Sequence, residues 1–262
     1  MPKSDTEVIR RMIVTPDKHF PLHDQKAINC LKKSIEIVKP DGYIDLGDTG
    51  EWEHFSTHYW KGRSAKPMED LIPLLNQDVF DVNKGMDSID ESLDKAGVNE
   101  RHFIQGTHEV WLDKFVIRYP YLKEYLTENA LRIKERGYKY HPYNRKKCLK
   151  IGKLNFTHGK FVGKYHSFQH IDAWGESIMY GHTHDLQRFT DTGLGGTQSA
   201  WSMGCLKDMS SDKNKWLRGN LHNWNHAFAI VDIFGNKDFK VEVVEIIKGR
   251  TSLWGELIDG SK

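Results

Sequence analysis

The chain has 262 residues, 38% of them hydrophobic and 11% aromatic, and this content excludes a disordered chain without a core. Its formal net charge of +2 excludes a uniformly basic nucleic-acid-binding surface, so any such surface must be local. Three scattered cysteines exclude a disulfide framework and fit a reducing cytoplasm. The polar N-terminus lacks a secretory signal and no apolar run approaches about 18 residues, so we expect a cytoplasmic protein without a membrane segment.

The first half of the chain alternates short strands with helices. In chain order we predict a strand over 8–15, a helix over 23–38, a strand over 43–46, helices over 51–61 and 68–96, and a strand over 101–105. The first strand ends at Pro16, which has no backbone N–H for a sheet ladder. Gly97 is the expected C-terminal cap of the long helix.

The second half of the chain becomes rich in strands. A helix with Leu112, Phe115 and Val116 on one face should end before Pro120, because a residue that precedes proline avoids helical angles. Beyond it we predict a helix over 121–135, strands over 138–143, 148–151 and 154–157, a helix over 164–174, and strands near 178 and over 186–190, 197–203, 227–233 and 239–247. Since the sequence has no internal repeat or linker, we expect one domain over 1–262 with a helical elaboration over 51–99.

Polar residues that can bind metal ions stand at the ends of the predicted strands. The groups are Asp17-Lys18-His19, Gly47-Asp48, Gly106-Thr107-His108-Glu109, Thr157-His158-Gly159 and Gly181-His182-Thr183-His184. Each polar group follows the end of an apolar strand, where the chain leaves the core. The sites of α/β folds usually lie at such strand ends. Two aspartates with several imidazoles suit Mn, Fe, Zn, Co or Ni, but neither Ca nor an all-thiolate site.

These five ordered motifs resemble those of the calcineurin-like metallophosphoesterase superfamily, whose pattern is D-x-H, G-D, G-N-H-[ED], H and G-H-x-H. The resemblance covers residues 14–185 and implies an α/β (α+β) fold, a four-layer αββα sandwich with two mixed β-sheets. It further implies a dinuclear metal centre that hydrolyses a phosphate ester by means of a metal-activated water. A compact member of phage type or nuclease type fits best, so the expected location includes the cytoplasm of a phage-infected host.

The resemblance assigns a role to each matching residue. The implied ligands are Asp17, His19 and His184 for the first ion and Thr107, His158 and His182 for the second, with Asp48 bridging the two. His108 matches the family's histidine that protonates the leaving oxygen or stabilises the phosphate, so His108 and Asp48 are the expected catalytic residues. Glu109 matches the acidic position that follows and is a candidate substrate contact. We expect two divalent ions, with Mn favoured over Fe, Zn, Co, Ni or Mg.

Thr107 departs from the family pattern, which has asparagine before the catalytic histidine. A threonine hydroxyl is shorter, β-branched and a weaker ligand than a carboxamide oxygen. We therefore predict weaker occupancy of the second metal site and slower turnover than in a relative that has asparagine. The sequence leaves two alternatives open. A water could take the place of the missing carboxamide ligand, or the threonine could be a substitution introduced to slow catalysis.

Two segments interleave basic and aromatic residues, a composition that can hold a phosphate backbone and stack bases. They contain Arg145, Lys146 and Lys147 in the first and Lys213, Lys215, Trp216 and Arg218 in the second. A solvated hairpin is the competing interpretation of the first. We expect Glu109, Arg145 and His226 to contact substrate, and the favoured substrate is a phosphodiester, either nucleic acid or a nucleotide.

Other residues beside the motifs have ordinary structural interpretations. Glu51 and Glu53 fit a solvated helix face better than a place behind the ligands. The aromatic stripe fits core packing under the helical elaboration better than a substrate platform; it consists of Trp52, Phe55, Tyr59 and Trp60.

Two other functions stay open at this stage. A phosphomonoesterase resembling protein phosphatases would use the same ligands. A catalytically impaired module of this fold, which binds nucleic acid or a partner protein, is kept open by Thr107. The retention of the other matched motifs favours the enzyme.

Overall fold

A computed structural model describes residues 5–56, 61 and 66–262. The described residues form thirteen strands and five α-helices. The strands are β1 Val8–Thr15, β2 Gly42–Asp45, β3 Glu100–Ile104, β4 Tyr138–His141, β5 Leu149–Ile151, β6 Leu154–Thr157, β7 Ile178–Tyr180, β8 Leu186–Gly193, β9 Gly196–Met203, β10 His226–Phe234, β11 Phe239–Ile246, β12 Arg250–Leu253 and β13 Glu256–Asp259. The helices are α1 Gln25–Val38, α2 Met68–Lys95, α3 Thr107–Arg118, α4 Thr127–Ala130 and α5 His166–Trp174.

The larger sheet has six strands in the order β11-β10-β1-β2-β3-β4. Strands β1 to β4 are parallel, with Val14 opposite Ile44, while β10 and β11 are antiparallel to their neighbours. Parallel neighbours need crossover connections, and α1 lies in the connection between β1 and β2. The carboxyl ends of β1, β2 and β3 therefore meet at one edge of the sheet.

The second sheet has five strands in the order β5-β6-β7-β9-β8. Strands β6, β7 and β9 are parallel in its middle, and β5 and β8 are antiparallel strands at its edges. The carboxyl ends of β6, β7 and β9 thus share an edge, as those of β1 to β3 do in the first sheet.

Side-chain alternation divides the core into layers, because successive residues of a strand point to opposite faces. Met12 and Val14 of β1 pack between the two sheets with Met179 of β7. Ile13 points the other way and packs in the core that α1, α2 and α3 cover. Beyond the second sheet, Ile171 of α5 joins a third apolar cluster. The predicted four-layer sandwich with two mixed sheets is confirmed.

Helix α2 accounts for most of the predicted elaboration over 51–99, and its observed bounds agree with the prediction to one residue. Its apolar face contributes Leu75, Val82 and Met86 to the core under α1. The predicted helix over 51–61 appears in the described residues only as a 3₁₀ turn, Glu53–Phe55, and Tyr59 and Trp60 lie outside those residues. No helix that the structure describes is long and apolar enough to cross a bilayer.

The helix predicted over 121–135 is wrong. A 3₁₀ helix, Pro120–Tyr125, and the short α4 occupy this stretch instead. The backbone N–H and hydroxyl of Thr127 both donate to Asp113 Oδ1, at 2.7 and 2.9 Å, and Arg132 has a φ of 51°. The apolar spacing alone would allow a helix here. The bonds of Thr127 to Asp113 of α3 and the left-handed conformation of Arg132 interrupt it.

A second difference is the hairpin of β12 and β13, which we did not predict. Trp254 and Gly255, with φ angles of 51° and 88°, make its two-residue turn. The hairpin packs on α1, where Asn29 Nδ2 donates to the carbonyl oxygen of Gly260 at 2.8 Å. Its strands have only four residues each, too few for a clear alternation in the sequence.

Candidate metal centre

The carboxyl edges of the two sheets bring the predicted ligands into one cluster. Asp17 and His19 follow β1, Asp48 follows β2, and His158 and the His182–His184 pair follow β6 and β7. Three groups of three have ligand atoms within 4.8 Å of one another: Asp17, His19 and His184; His19, Asp48 and His108; and Asp48, His158 and His182. His19 belongs to the first and second of these groups and Asp48 to the second and third, so the three groups form one continuous cluster.

The backbone of the cluster is held in an uncommon conformation. Positive φ angles occur at four of its residues, His19 (54°), Asp48 (47°), His182 (74°) and His184 (62°). Each such angle in a non-glycine residue costs about 1–3 kcal/mol and persists only where its surroundings fix it. Gly181 is one such constraint, because a Cβ there would lie 2.3 Å from Asp17 Oδ2. Concentrated strain of this kind is typical of a functional site.

The first group has lone pairs that no protein donor satisfies. His19 Nε2 lies 3.0 Å from His184 Nε2, and Asp17 Oδ2 accepts the backbone N–H of His182 at 2.8 Å. Asp17 Oδ1 and His184 Nδ1 are buried without a hydrogen-bond partner among the residues described. Buried polar atoms without partners are rare, and a cation bound by this group could supply a partner for such atoms.

The second group is built around His158. Its Nδ1 donates to the carbonyl oxygen of Leu46 at 2.9 Å, which directs Nε2 toward Asp48 Oδ2 at 3.1 Å and His182 Nδ1 at 3.2 Å. A backbone carbonyl that orients the far nitrogen is the usual arrangement for a metal-binding histidine. The Thr107 hydroxyl lies 3.2 Å from Asp48 Oδ2 and 3.4 Å from His158 Nε2. The residue that departs from the family pattern therefore lies next to this group.

Burial sets the protonation of the cluster imidazoles. It lowers the pKa of His19 to about 4 and that of His182 to about 3, and it holds the pKa of His184 well below its usual value. Burial also acts to lower the pKa of His158, but the Asp48 carboxylate raises it to about 9. Three of the four imidazoles are thus neutral at physiological pH, the form that binds metal ions. The donor set of two carboxylates and four imidazoles fits divalent transition metals.

His108 belongs to the group with His19 and Asp48, and its two ring nitrogens have different surroundings. Its backbone N–H donates to Asp48 Oδ1 at 2.8 Å, and its Nδ1 donates to the carbonyl oxygen of Glu51. Trp111 packs on the imidazole with ring centroids 3.8 Å apart. These contacts direct Nε2 toward Asp48 Oδ2, 4.0 Å away, with the side chain 15% exposed. The His108 side chain is therefore partly exposed at the edge of the cluster.

The interpretation of Glu51 as part of a solvated helix face is wrong. Its Oε2 lies 2.8 Å from His19 Nδ1 and 2.7 Å from the ammonium of Lys207, which is 2% exposed. The carboxylate thus orients His19 in the way a buried carboxylate orients a metal ligand. Sequence reasoning also missed Lys207. It follows the end of β9 at the distance in sequence at which His184 follows β7, but a lysine ammonium is not a metal ligand.

Glu109 requires a correction as well, because its carboxylate is 0% exposed and cannot contact substrate. Its Oε2 accepts the backbone N–H groups of Asp48 and Gly106 at 2.9 Å, and its Oε1 accepts those of Thr49 and Gly50 at 2.9 and 3.0 Å. One side chain therefore ties the β2 loop, which presents Asp48, to the start of α3. Glu109 is a positioning residue under the cluster.

Replacing Glu109 with glutamine should lower the free energy of unfolding by about 3 kcal/mol or more, because an amide N–H₂ facing backbone donors leaves several of them without partners. Urea denaturation measures the loss. The control is Glu69→Gln, at an exposed position in the first turn of α2, where we expect a change within about 0.5 kcal/mol. Equal stabilities of the two variants would refute the positioning role.

The other two predicted substrate contacts, Arg145 and His226, are not members of the three ligand groups. Arg145 is exposed in the loop between β4 and β5, and no hydrogen bond, ion pair or ring contact joins it to the cluster in the described part of the chain. Tyr143 of the same loop does reach the cluster, since its hydroxyl donates to the carbonyl oxygen of Gly159 and its ring lies 6.2 Å from His158. His226 Nε2 donates to the carbonyl oxygen of Lys207 at 2.7 Å.

The two sheets with their covering helices agree with the fold that the sequence motifs predict. The chain has the fold of the calcineurin-like metallophosphoesterases, as its motifs predict, with a His/Asp cluster that could hold divalent metal at the strand ends. No family model matches the chain.

Two phage proteins are similar to this chain over most of their length. The gene 54 protein of Mycobacterium phage D29 is 26% identical over 261 residues, which cover 95% of this chain and 98% of the phage protein. The gene 54 protein of Mycobacterium phage L5 is 26% identical over 266 residues, with the same coverage of both chains. These relatives support the expected phage-type member.

Solved structures resemble the chain in fold at low sequence identity. Vps29 from Chaetomium thermophilum aligns with a TM-score of 0.50 at 11% identity, covering 95% of this chain and 97% of its own. A dimetal phosphatase from Danio rerio aligns with a TM-score of 0.43 at 10% identity, covering 91% and 96%. The likeness to Vps29 supports the fold.

Proposed function

We propose that this protein is a dinuclear-metal-dependent phosphoesterase. The observation that carries the proposal is the way the three ligand groups interlock, since the first and second share His19 and the second and third share Asp48, with His108 in the second group. Asp17, His19 and His184 would hold one ion and His158 and His182 the other, with Thr107 at its margin. Two divalent ions there would supply a nucleophile at neutral pH and offset charge on the attacking and leaving oxygens of a phosphoryl group. Mn²⁺ is the ion we favour for assays.

The protein's own residues would position the substrate and move a proton. His108 Nε2 is the atom that would protonate the leaving oxygen, because Nδ1 is committed to the carbonyl oxygen of Glu51. Through that carbonyl and its carboxylate, Glu51 fixes the rings of both His108 and His19. The Lys207 ammonium balances the Glu51 charge and keeps the carboxylate in place. The cluster is thereby assembled before substrate arrives, as electrostatic catalysis requires.

The favoured substrate is a phosphodiester, because basic and aromatic residues lie in the loops around the cluster. Assays with Mn²⁺ on bis-p-nitrophenyl phosphate and on p-nitrophenyl phosphate compare a diester with a monoester. We expect faster turnover of the diester. Turnover of the monoester alone would leave a phosphomonoesterase, and no turnover of either ester with any divalent ion would refute the enzyme and favour a binding module of this fold.

Thr107 is the residue that supports the second candidate, a catalytically impaired module. Its hydroxyl stands among Asp48, His158 and His182 at 3.2–3.5 Å, where a carboxamide would extend further toward the second group. Thr107→Asn should therefore raise the occupancy of the second metal site and the turnover, measured by metal analysis and diester hydrolysis. Thr190→Asn, which changes a hydroxyl in β8, is the matched control. A variant that gains neither metal nor rate would refute this account of Thr107.

A further inference from the structure

The connection between β9 and β10 lies against the cluster. Its end is fixed there by backbone bonds, since the N–H of Asn225 donates to the carbonyl oxygen of His184 at 2.9 Å and Trp224 forms a β-bridge with Asp185. The indole of Trp224 packs edge-on against the His184 imidazole, with ring centroids 4.6 Å apart. An aromatic side chain thus stands directly beside a candidate metal ligand.

Two more rings extend from Trp224 toward solvent. His222 lies 4.5 Å from Trp224 between ring centroids, and Trp216 lies 5.9 Å from it. We call Trp216, His222 and Trp224 the aromatic shelf. Trp216 is 60% exposed, although tryptophan is among the side chains that proteins bury most on average. An exposed indole that continues a row of rings from the cluster is typical of a binding surface.

The same connection carries three exposed cations beside its two aspartates, Asp208 and Asp212, and it is held by internal hydrogen bonds. Lys213, Lys215 and Arg218 are exposed within five residues of Trp216. Asn214 is 2% exposed, and its Nδ2 donates to the carbonyl oxygens of Asp208 and Ser210 at 2.8 and 2.9 Å. Internal bonds therefore hold the segment that carries the cations and the outer ring. A polyanion fits this charge better than an apolar partner does.

An open cleft lies next to the aromatic shelf. Trp224 lines this open cleft of about 470 Å³, whose other walls include Met209 and Ile247, the cations Lys26 and Lys248, and the carboxylates Asp24 and Glu245. Clefts of this size accept small organic ligands. The shelf therefore continues into a space that could take a base beyond the one stacked on the outer ring.

We propose that the aromatic shelf stacks the unpaired bases of a single-stranded nucleic acid whose phosphodiester lies at the cluster. Every base has a π-face, so stacking on an indole tolerates any sequence, while the neighbouring cations hold the backbone. In a duplex both faces of an internal base are covered, so the shelf selects single strands. The inference rests on the proposed function, since it names the substrate class of the same site.

The test is the affinity for a fluorescent oligothymidylate of about twelve nucleotides, a length within the usual range of site sizes. Phosphorothioate linkages slow cleavage, so fluorescence anisotropy can be measured with Mn²⁺ present. Trp216→Ala should weaken binding by about 5- to 100-fold, the range expected for loss of one stacked base. Trp216→Phe should restore most of the affinity, because the ring is what the base contacts.

Trp254 supplies the matched control. It is 52% exposed in the β12–β13 turn, where the Arg11 guanidinium lies over its ring, and it has no ring contact with the shelf among the residues described. Trp254→Ala should leave the affinity for the oligonucleotide unchanged. Equal affinities of Trp216→Ala and the unaltered protein would overturn the inference. So would a dimer in sedimentation that Trp216→Ala dissociates, because the shelf would then be covered by a second copy.

Failure of this inference and failure of the proposed function give different results. Hydrolysis of bis-p-nitrophenyl phosphate by the unaltered protein, with unchanged oligonucleotide affinity in Trp216→Ala, would reject the shelf and keep the phosphoesterase. Loss of affinity in Trp216→Ala without hydrolysis of any ester would keep the stacking surface and reject the enzyme.

Discussion

Replacing Asp48 with asparagine is expected to abolish the binding of the metal pair and, with it, phosphoester hydrolysis. Asp48 is shared by two of the three ligand groups, and a neutral amide cannot offset the charge of two cations. Asparagine keeps the shape of the side chain and an acceptor for the His108 N–H, so the loop should still fold. We expect Mn²⁺ to raise the melting temperature of the unaltered protein, as a ligand that binds only the folded state does, and to leave that of Asp48→Asn unchanged.

The control for this experiment is Asp191→Asn, which changes an exposed aspartate in β8. It should keep both the metal content and the Mn²⁺-dependent rise in melting temperature. Full metal content in Asp48→Asn, measured by elemental analysis after dialysis, would contradict the bridging role.

Replacing His108 with alanine should lower turnover by about 10²–10⁴-fold and leave the metal content nearly intact, because its imidazole is expected to transfer a proton. The backbone N–H that holds Asp48 remains in the variant. The loss should depend on the leaving group. A p-nitrophenolate leaves without much help from an acid, whereas a nucleoside alkoxide needs a proton, so the defect should be larger for a dinucleotide.

His141→Ala is the matched control for this second prediction. His141 is a partly buried histidine of β4 bonded to His102 at 2.9 Å, outside the three ligand groups. Its replacement should keep turnover on both esters. Equal losses on both leaving groups in His108→Ala would argue for phosphate stabilisation, and full activity would refute any catalytic role for that residue.

Local sequence determined the elements with clear periodicity and the candidate ligands at their ends. Helix α2 could be placed to within one residue because its apolar positions recur over seven turns, and β1 because Pro16 marks its end. Asp17, Asp48 and His158 could be found for a related reason. A parallel strand ends at the same edge as its neighbours, so polar groups that follow such strands converge whatever the loops do.

Only the tertiary structure decided which residues lie behind and beside the cluster. Glu51 and Lys207 are far apart in the chain, and their buried pair against His19 depends on how the β2 loop meets the end of β9. Trp224 reaches His184 by a contact of the same kind, between a long connection and a strand end. Such contacts have no periodic pattern, because the position of one loop against another is fixed by the packing of both sheets. The sequence by itself thus determined which residues are candidate metal ligands, and the packing of the sheets decided what surrounds them.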